Sequence, residues 1–143
     1  MVGNPRKGPT MATSVTDMIA HARTQVRNLS AAEVTAALES GTVTMIDLRE
    51  PGEVTRDGGI PGAVLAPRGM LEFWADPASP YHRPEFAPAV TTVLYCASGG
   101  RSALAALALQ ELGYTDVAHL DGGIKAWKER GLPVTFQAED DPR

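Results

Sequence analysis

Residues Leu94 to Leu109 read LYCASGGRSALAALAL and contain the single cysteine of the chain. Cys96 closes an apolar run, and Gly99, Gly100, Arg101 and Ser102 follow it closely. The glycine pair lets the backbone curl, so that the N–H groups of Ala97, Ser98, Gly99, Gly100, Arg101 and Ser102 can converge on one point. A helix starting there adds its positive N-terminal end to the same point. A thiol in such a cup of donors loses its proton readily, and the thiolate is the nucleophile. Arg101 adds a full positive charge with forked donors suited to an oxyanion. The competing reading is plain burial, since free cysteine is among the most buried residue types. Core packing has no use for a glycine pair and a charge directly after a strand, so nucleophilic chemistry is the expectation.

Two reactions suit a cysteine held this way. The thiolate can attack phosphorus, as in cysteine-dependent phosphatases, or take a sulfane sulfur and become a persulfide. Phosphatases of this type use Cys-x5-Arg, whereas only Ala97, Ser98, Gly99 and Gly100 separate Cys96 from Arg101. The shorter loop encloses less volume, sized for a sulfur atom more than for a tetrahedral phosphate. Sulfur transfer is favoured.

The elements that must position this loop follow from periodicity and punctuation. Thr91 to Tyr95 is the clearest strand and Ser102 to Leu112 the clearest helix, ended by Gly113. Upstream, Val15, Met18, Ile19, Ala22 and Val26 follow helical spacing over Ser14 to Val26. Ser30 and Glu33 form a capping-box pattern opening a helix to Glu39, which Gly41 closes. Thr42 to Ile46 reads as a strand followed by a loop at Asp47, and Gly58 to Ala66 as a tight turn leading into a short buried strand. Arg68 to Trp74 reads as a helical turn, Asp76 to Pro88 as a proline-rich loop, Val117 to Leu120 as a strand, and Gly123 to Arg130 as a helix. Strands alternating with helices imply parallel crossovers and an open α/β sheet with helices on both faces. Ligands of such sheets bind beyond the carboxyl ends of the strands, which is where Cys96 falls.

The chain has 143 residues, 43% of them hydrophobic, enough for one globular domain with a real core. The expected division is a flexible tail over 1–13, one domain over 14–135 with an extra N-terminal helix at 14–27, and a tail over 136–143. Met11 offers an alternative start. A net charge of −4 leaves no electrostatic footprint for nucleic acid. One cysteine excludes an internal disulfide, and three scattered histidines (His21, His82, His119) form no metal-ligand cluster. Asp17, His21 and Arg23 interrupt the one candidate leader segment, so the expectation is a soluble, cytoplasmic protein with no membrane partner.

The motifs resemble those of a known family. Cys96 to Ser102 is similar to the C-x-x-G-x-R-S loop of the rhodanese-like sulfurtransferases. Asp47, Arg49 and Glu53 resemble the family's D-x-R-x-x-x-E segment, and Gly58 to Ala63 its G-H-I-P-G-A turn. Asp121-Gly122-Gly123 with Trp127, then Gly131-Leu132-Pro133-Val134, resemble its G-G-x-x-x-W and G-x-P-V elements. The likeness spans roughly Ser30 to Val134 in order, and Arg68 to Trp74 resembles a single-domain bacterial branch. Gly59 departs from it, standing where the family has histidine; altered packing without loss of activity is expected.

The resemblance implies a doubly wound three-layer α/β fold around a parallel sheet of about five strands. It implies that Cys96 attacks the outer sulfur of a small anionic donor such as thiosulfate, releases sulfite, and keeps a persulfide until a thiophilic acceptor takes it. No metal or organic cofactor is implied. With no second cysteine, the acceptor must be external: cyanide, a small thiol or an acceptor protein in a relay. The alternatives are a phosphatase of related fold and a non-catalytic binding module, which commonly lacks the cysteine.

Supporting residues divide between roles. Asp47 and Arg49 follow a strand toward the edge that carries Cys96; Arg49 could attract an anion there, or brace the loop by pairing with Glu53. Arg68 and Trp74 could rim the pocket, or be a surface arginine and a core tryptophan. Trp127 is expected in the core, and Gly122 and Gly123 are expected to permit close helix approach. Trp74-Ala75-Asp76-Pro77 is similar to the W-P-D acid loop of tyrosine phosphatases, though Asp-Pro is also an ordinary turn initiator. His119 is expected to be structural, since an amide cup activates a thiol without a base.

Overall fold

The computed structural model describes residues 12–136. Helix α1 (Val15–Gln25) is capped by Ser14, whose hydroxyl accepts from the Asp17 N–H at 3.0 Å. Strand β1 (Arg27–Leu29) and helix α2 (Ala31–Ser40) follow. The capping box at Ser30 and Glu33 is reciprocal, with bonds of 3.1 and 2.8 Å, and Gly41 closes α2 in the left-handed conformation. Then come β2 (Val43–Asp47), α3 (Pro51–Asp57), β3 (Val64–Leu65), a 3-10 turn (Arg68–Met70) and α4 (Leu71–Ala75). After the proline-rich loop the chain forms β4 (Thr91–Tyr95), α5 (Gly100–Glu111), β5 (Val117–Leu120) and α6 (Gly123–Glu129).

The strands form one parallel sheet in the order β1-β5-β4-β2-β3, the α/β class expected. Alternation along β4 decides which helix packs where. Leu94 and Cys96 join Ile46, Leu48, Leu71, Ala105, Ala106 and Leu109 in the core on the α4–α5 face. Val93 and Tyr95 join Met45, Val34, Leu120, Ile124 and Trp127 on the α2–α6 face. α1 lies along α5, with Gln110 Nε2 donating to the Gln25 carbonyl at 3.1 Å.

Two elements carry too little apolar pattern to be read from sequence. β1 is a three-residue edge strand with two exposed positions, and α3 has no buried residue. Two expectations need correction. β3 is half-buried, because it is an edge strand paired only with β2. Helix α5 begins at Gly100 instead of Ser102, because Gly99 makes the left-handed turn that starts it. His119 lies within β5 and is fully buried. No helix among the described residues is long and apolar enough to cross a membrane. The expected tails over 1–13 and 136–143, and the alternative start at Met11, fall almost entirely outside the described residues.

Ser30→Ala removes one half of the capping box. It should cost about 1 kcal/mol, visible as a lowered urea midpoint.

Candidate functional site

Cys96 follows the last residue of β4, at the carboxyl edge of the sheet, and is 1% exposed. Gly99, at φ 108°, reverses the chain into α5 and turns its own N–H back onto Cys96 Sγ at 3.1 Å. The first intrahelical bond of α5 runs from the Ala103 N–H to the Gly99 carbonyl at 3.2 Å. The N–H groups of Gly100, Arg101 and Ser102 therefore have no helical partner and cluster at the positive end of a twelve-residue helix. Of the loop amides, that of Gly99 is on the sulfur.

The back of the loop is fastened to α6. The Ile124 N–H donates to the Cys96 carbonyl at 2.9 Å and the Lys125 N–H to the Ala97 carbonyl at 3.1 Å. Gly123 makes this possible: a Cβ there would lie 2.5 Å from the carbonyls of Cys96 and Ala97. A cavity of about 450 Å³ opens beside Ala97 and Ser98, walled by Ile124, Lys125, Lys128, Asp57 and Glu129. Trp127 is in the core, its indole N–H donating to the Pro133 carbonyl at 2.8 Å.

Arg101 projects from the first turn of α5 into a bidentate pair with Glu53 of α3, at 2.9 and 3.0 Å. The Arg101 hydrogen bond holds the Glu53 carboxyl at about 2, against the opposing effect of burial. Glu53 in turn holds Arg101 firmly protonated, and the nearby Cys96 sulfur adds to this more weakly.

Arg49 does not rim the site, and it does not pair with Glu53. It is fully buried, binding Asp47 through Nε and a terminal nitrogen at 2.9 and 2.6 Å and the Gly58 carbonyl at 2.8 Å. The Tyr95 hydroxyl donates to the same Asp47 carboxylate at 2.8 Å and accepts the Ile60 N–H at 3.0 Å. Burial, then Asp47, keep that hydroxyl protonated by pushing it far up. The space at Gly59 is filled by this cluster: a Cβ there would meet the Tyr95 hydroxyl at 3.3 Å and Arg49 at 3.5 Å. The cluster binds β2, β4 and the Gly58–Ile60 turn beneath the site.

Arg68 is half-buried and pairs with Glu72 at 2.7 Å. Trp74 is half-buried under Arg83, whose guanidinium stacks 3.8 Å from the ring centroid. Asp76 accepts the Ala78 N–H at 2.9 Å and acts as a turn former. Sequence reasoning missed three residues ahead of the motifs. Ile19 and Arg23 of α1 lie against Gly100 and Gly99, 3.1 and 3.2 Å from where their Cβ atoms would stand. Asn28 reaches His119, and His119 reaches Ser102. The helical spacing marked Ile19 as inward-facing, but no local signal ties α1 or β1 to a loop some seventy residues on.

A model of the rhodanese-like domain matches residues 30–130. A protein of Allochromatium vinosum named a sulfurtransferase is 36% identical over 92 residues, covering 64% of this chain and 78% of its own. A Rhodopseudomonas palustris structure, described as a possible tyrosine phosphatase, superposes with a TM-score of 0.83 at 42% identity, covering 90% of this chain and 98% of its own. The polysulfide-sulfur transferase homodimer of Wolinella succinogenes gives a TM-score of 0.68 at 26% identity, covering 82% and 84%.

Asp47→Asn leaves the buried Arg49 uncompensated and should destabilise the fold by roughly 3–5 kcal/mol. Asp47→Leu with Arg49→Met, which removes both charges, should recover a large part in urea titration.

Stability should also fall with acid in two steps. Burial holds His119 at about 4, below its ordinary 6.5, so the unfolded chain takes up this proton first and stability drops as pH falls from 6.5 to 4. Glu53, held at about 2 against an ordinary 4.5, stabilises the fold above pH 4.5, and that contribution is lost toward pH 2. His119→Asn should flatten the first step and Glu53→Gln the second.

Proposed function

Because the chain belongs to the family of rhodanese-like domains, we propose that it is a sulfurtransferase with Cys96 as its nucleophile and thiosulfate as a competent donor. The observation that carries this reading is the placing of Cys96 Sγ under the Gly99 N–H at 3.1 Å, beside three amides at the start of α5 that make no helical bond. In the forward step the Cys96 thiolate attacks the outer sulfur of thiosulfate. The S–S bond of the donor breaks, its electron pair leaves with sulfite, and a persulfide anion remains on Cys96. An acceptor nucleophile then takes the outer sulfur, giving thiocyanate from cyanide or a persulfide from a thiol, and the Cys96 thiolate returns. Two displacements through a covalent intermediate require ping-pong kinetics.

The amides suit this chemistry because the negative charge always sits on sulfur or on a departing oxyanion, and preorganised N–H groups stabilise both. Arg101 supplies charge from one side, although its guanidinium is clasped by Glu53.

The phosphatase description of the Rhodopseudomonas palustris structure supports a second reading, in which the same thiolate attacks phosphorus. Against it stand the four-residue spacing from Cys96 to Arg101 and the engagement of Asp76 in its own turn, which leaves no placed general acid.

Incubation with thiosulfate should add the mass of one sulfur atom to the wild-type protein, and cyanide should remove it as thiocyanate. Cys96→Ser should show neither. Hydrolysis of an aryl phosphate without sulfur uptake would overturn the reading in favour of the phosphatase.

The Arg101–Glu53 pair supplies a kinetic check. Arg101→Ala should raise KM for thiosulfate by roughly threefold to tenfold, and Glu53→Gln, which frees the guanidinium, should lower it. Unchanged constants in both would remove Arg101 from the donor site.

A further inference from the structure

A hydrogen-bond chain runs from the surface to the sulfur of Cys96, and the displacement steps make no use of it. It begins at Asn28, ahead of the residues matched by the family model. Asn28 Nδ2 donates to the carbonyls of Arg23 and Val26 at 2.9 and 3.1 Å. Two carbonyl acceptors fix how the amide faces, because its own oxygen would repel them. Asn28 Oδ1 therefore points inward, 2.7 Å from His119 Nε2. An amide oxygen only accepts, so Nε2 carries the proton. Burial holds His119 at about 4, so the imidazole is neutral near pH 7 and Nδ1 is bare. Nδ1 lies 2.8 Å from Ser102 Oγ, and the serine must donate to it. The competing acceptor, the Gly99 carbonyl, is farther away at 3.3 Å. A hydroxyl has one proton, and here it is turned from Cys96. Toward the sulfur, 3.6 Å away, Ser102 Oγ presents only a lone pair.

We propose that the Asn28–His119–Ser102 chain is a positioning device for Cys96, which turns the serine hydroxyl away from the sulfur and so denies the thiolate that hydrogen bond. It rests on the reading of Cys96 as the reacting nucleophile. The thiol donates to Ser102, while the Gly99 N–H, which favours the thiolate, opposes that restraint. For Ser102 to donate to the thiolate, His119 must carry its proton on Nδ1. That tautomer sets a bare Nε2 against Asn28 Oδ1, so Asn28 locks the arrangement from the surface.

The charged groups around the loop are Arg101 with Glu53, Arg23 with Asp121 at 3.6 Å, and Lys125, Lys128, Asp57 and Glu129 about the cavity beside Ala97 and Ser98. None of them is altered by the substitutions that test the proposal.

The test is the pH profile of Cys96 alkylation by iodoacetamide, read by intact mass, in wild type, Asn28→Ala, Ser102→Ala and the double variant. Asn28 is exposed, so Asn28→Ala should fold. Without the amide oxygen His119 adopts either tautomer, and Ser102 donates to the thiolate. The midpoint of Asn28→Ala should lie lower than wild type by roughly half to one pH unit. Adding Asn28→Ala to Ser102→Ala should move it no further. His119→Leu, which leaves Ser102 no imidazole acceptor, should lower the midpoint likewise.

A merely structural Asn28 would change the melting temperature and leave the midpoint in place, which overturns the proposal. An equal shift in the Ser102→Ala background, or an upward shift, overturns it too. The readout needs no sulfur donor, so the two readings separate. A lowered midpoint without sulfur uptake from thiosulfate refutes sulfur transfer and leaves the role of the chain standing. Sulfur uptake with unmoved midpoints refutes the role of the chain alone.

Discussion

The carboxyl edge of the sheet is built around one close approach, that of the Gly123 backbone to the carbonyls of Cys96 and Ala97. A single methyl group at Gly123 would stand 2.5 Å from those carbonyls. The approach lets the first N–H groups of α6 take up the carbonyls on the back of the loop. With its carbonyls held behind, the loop can present N–H groups in front, and the turn at Gly99 brings one of them to the sulfur. Two helix N-termini thus meet at one strand end: α6 fastens the loop, and α5 faces the reacting atom. Helix dipoles act over about one turn, so this focusing depends on the spacing being kept.

The arginines near this point contribute less free charge than their number suggests. Arg49 is spent on Asp47, Arg101 on Glu53, Arg23 on Asp121 and Arg68 on Glu72. Pairing takes up the charge of these arginines, and the attraction for an anion passes to backbone dipoles, with Lys125 and Lys128 on the wall of the neighbouring cavity. Those dipoles are already oriented and need no reorganisation when charge shifts from thiolate to leaving group. The buried Asp47–Arg49 pair does structural work instead. It joins β2 to the Gly58–Ile60 turn and, through the Tyr95 hydroxyl, to β4, the strand that delivers Cys96.

Much of this was legible in the sequence, and what was not has a physical cause. β4, α5 and α6 announce themselves by apolar runs and glycine stops, and the family motifs locate the loop around Cys96. Reading Arg49 as a rim residue failed because burial is a property of the assembled sheet: Asp47 and Arg49 look the same in sequence whether they face solvent or each other. Arg101 and Glu53 are 48 positions apart, so only the fold could pair them. Asn28 and His119 are 91 apart, and a polar residue on a short edge strand carries no periodic signal that would link it to a distant loop.

The proposed persulfide changes what the loop must hold. At 1% exposure the Cys96 thiol is almost closed to solvent, with its sulfur between the Gly99 N–H and the Ser102 oxygen. Adding a sulfur carries the negative charge outward by one S–S bond, about 2 Å. The amides of Gly100 and Arg101, which make no helical bond, are donors that such an outer atom would draw on. In that step the restraint from Asn28 through His119 loses its hold, since Cys96 Sγ no longer bears a proton to donate. On the proposed reading the loop would treat the two states differently, which suits an intermediate that must wait for an external acceptor in a chain with no second cysteine.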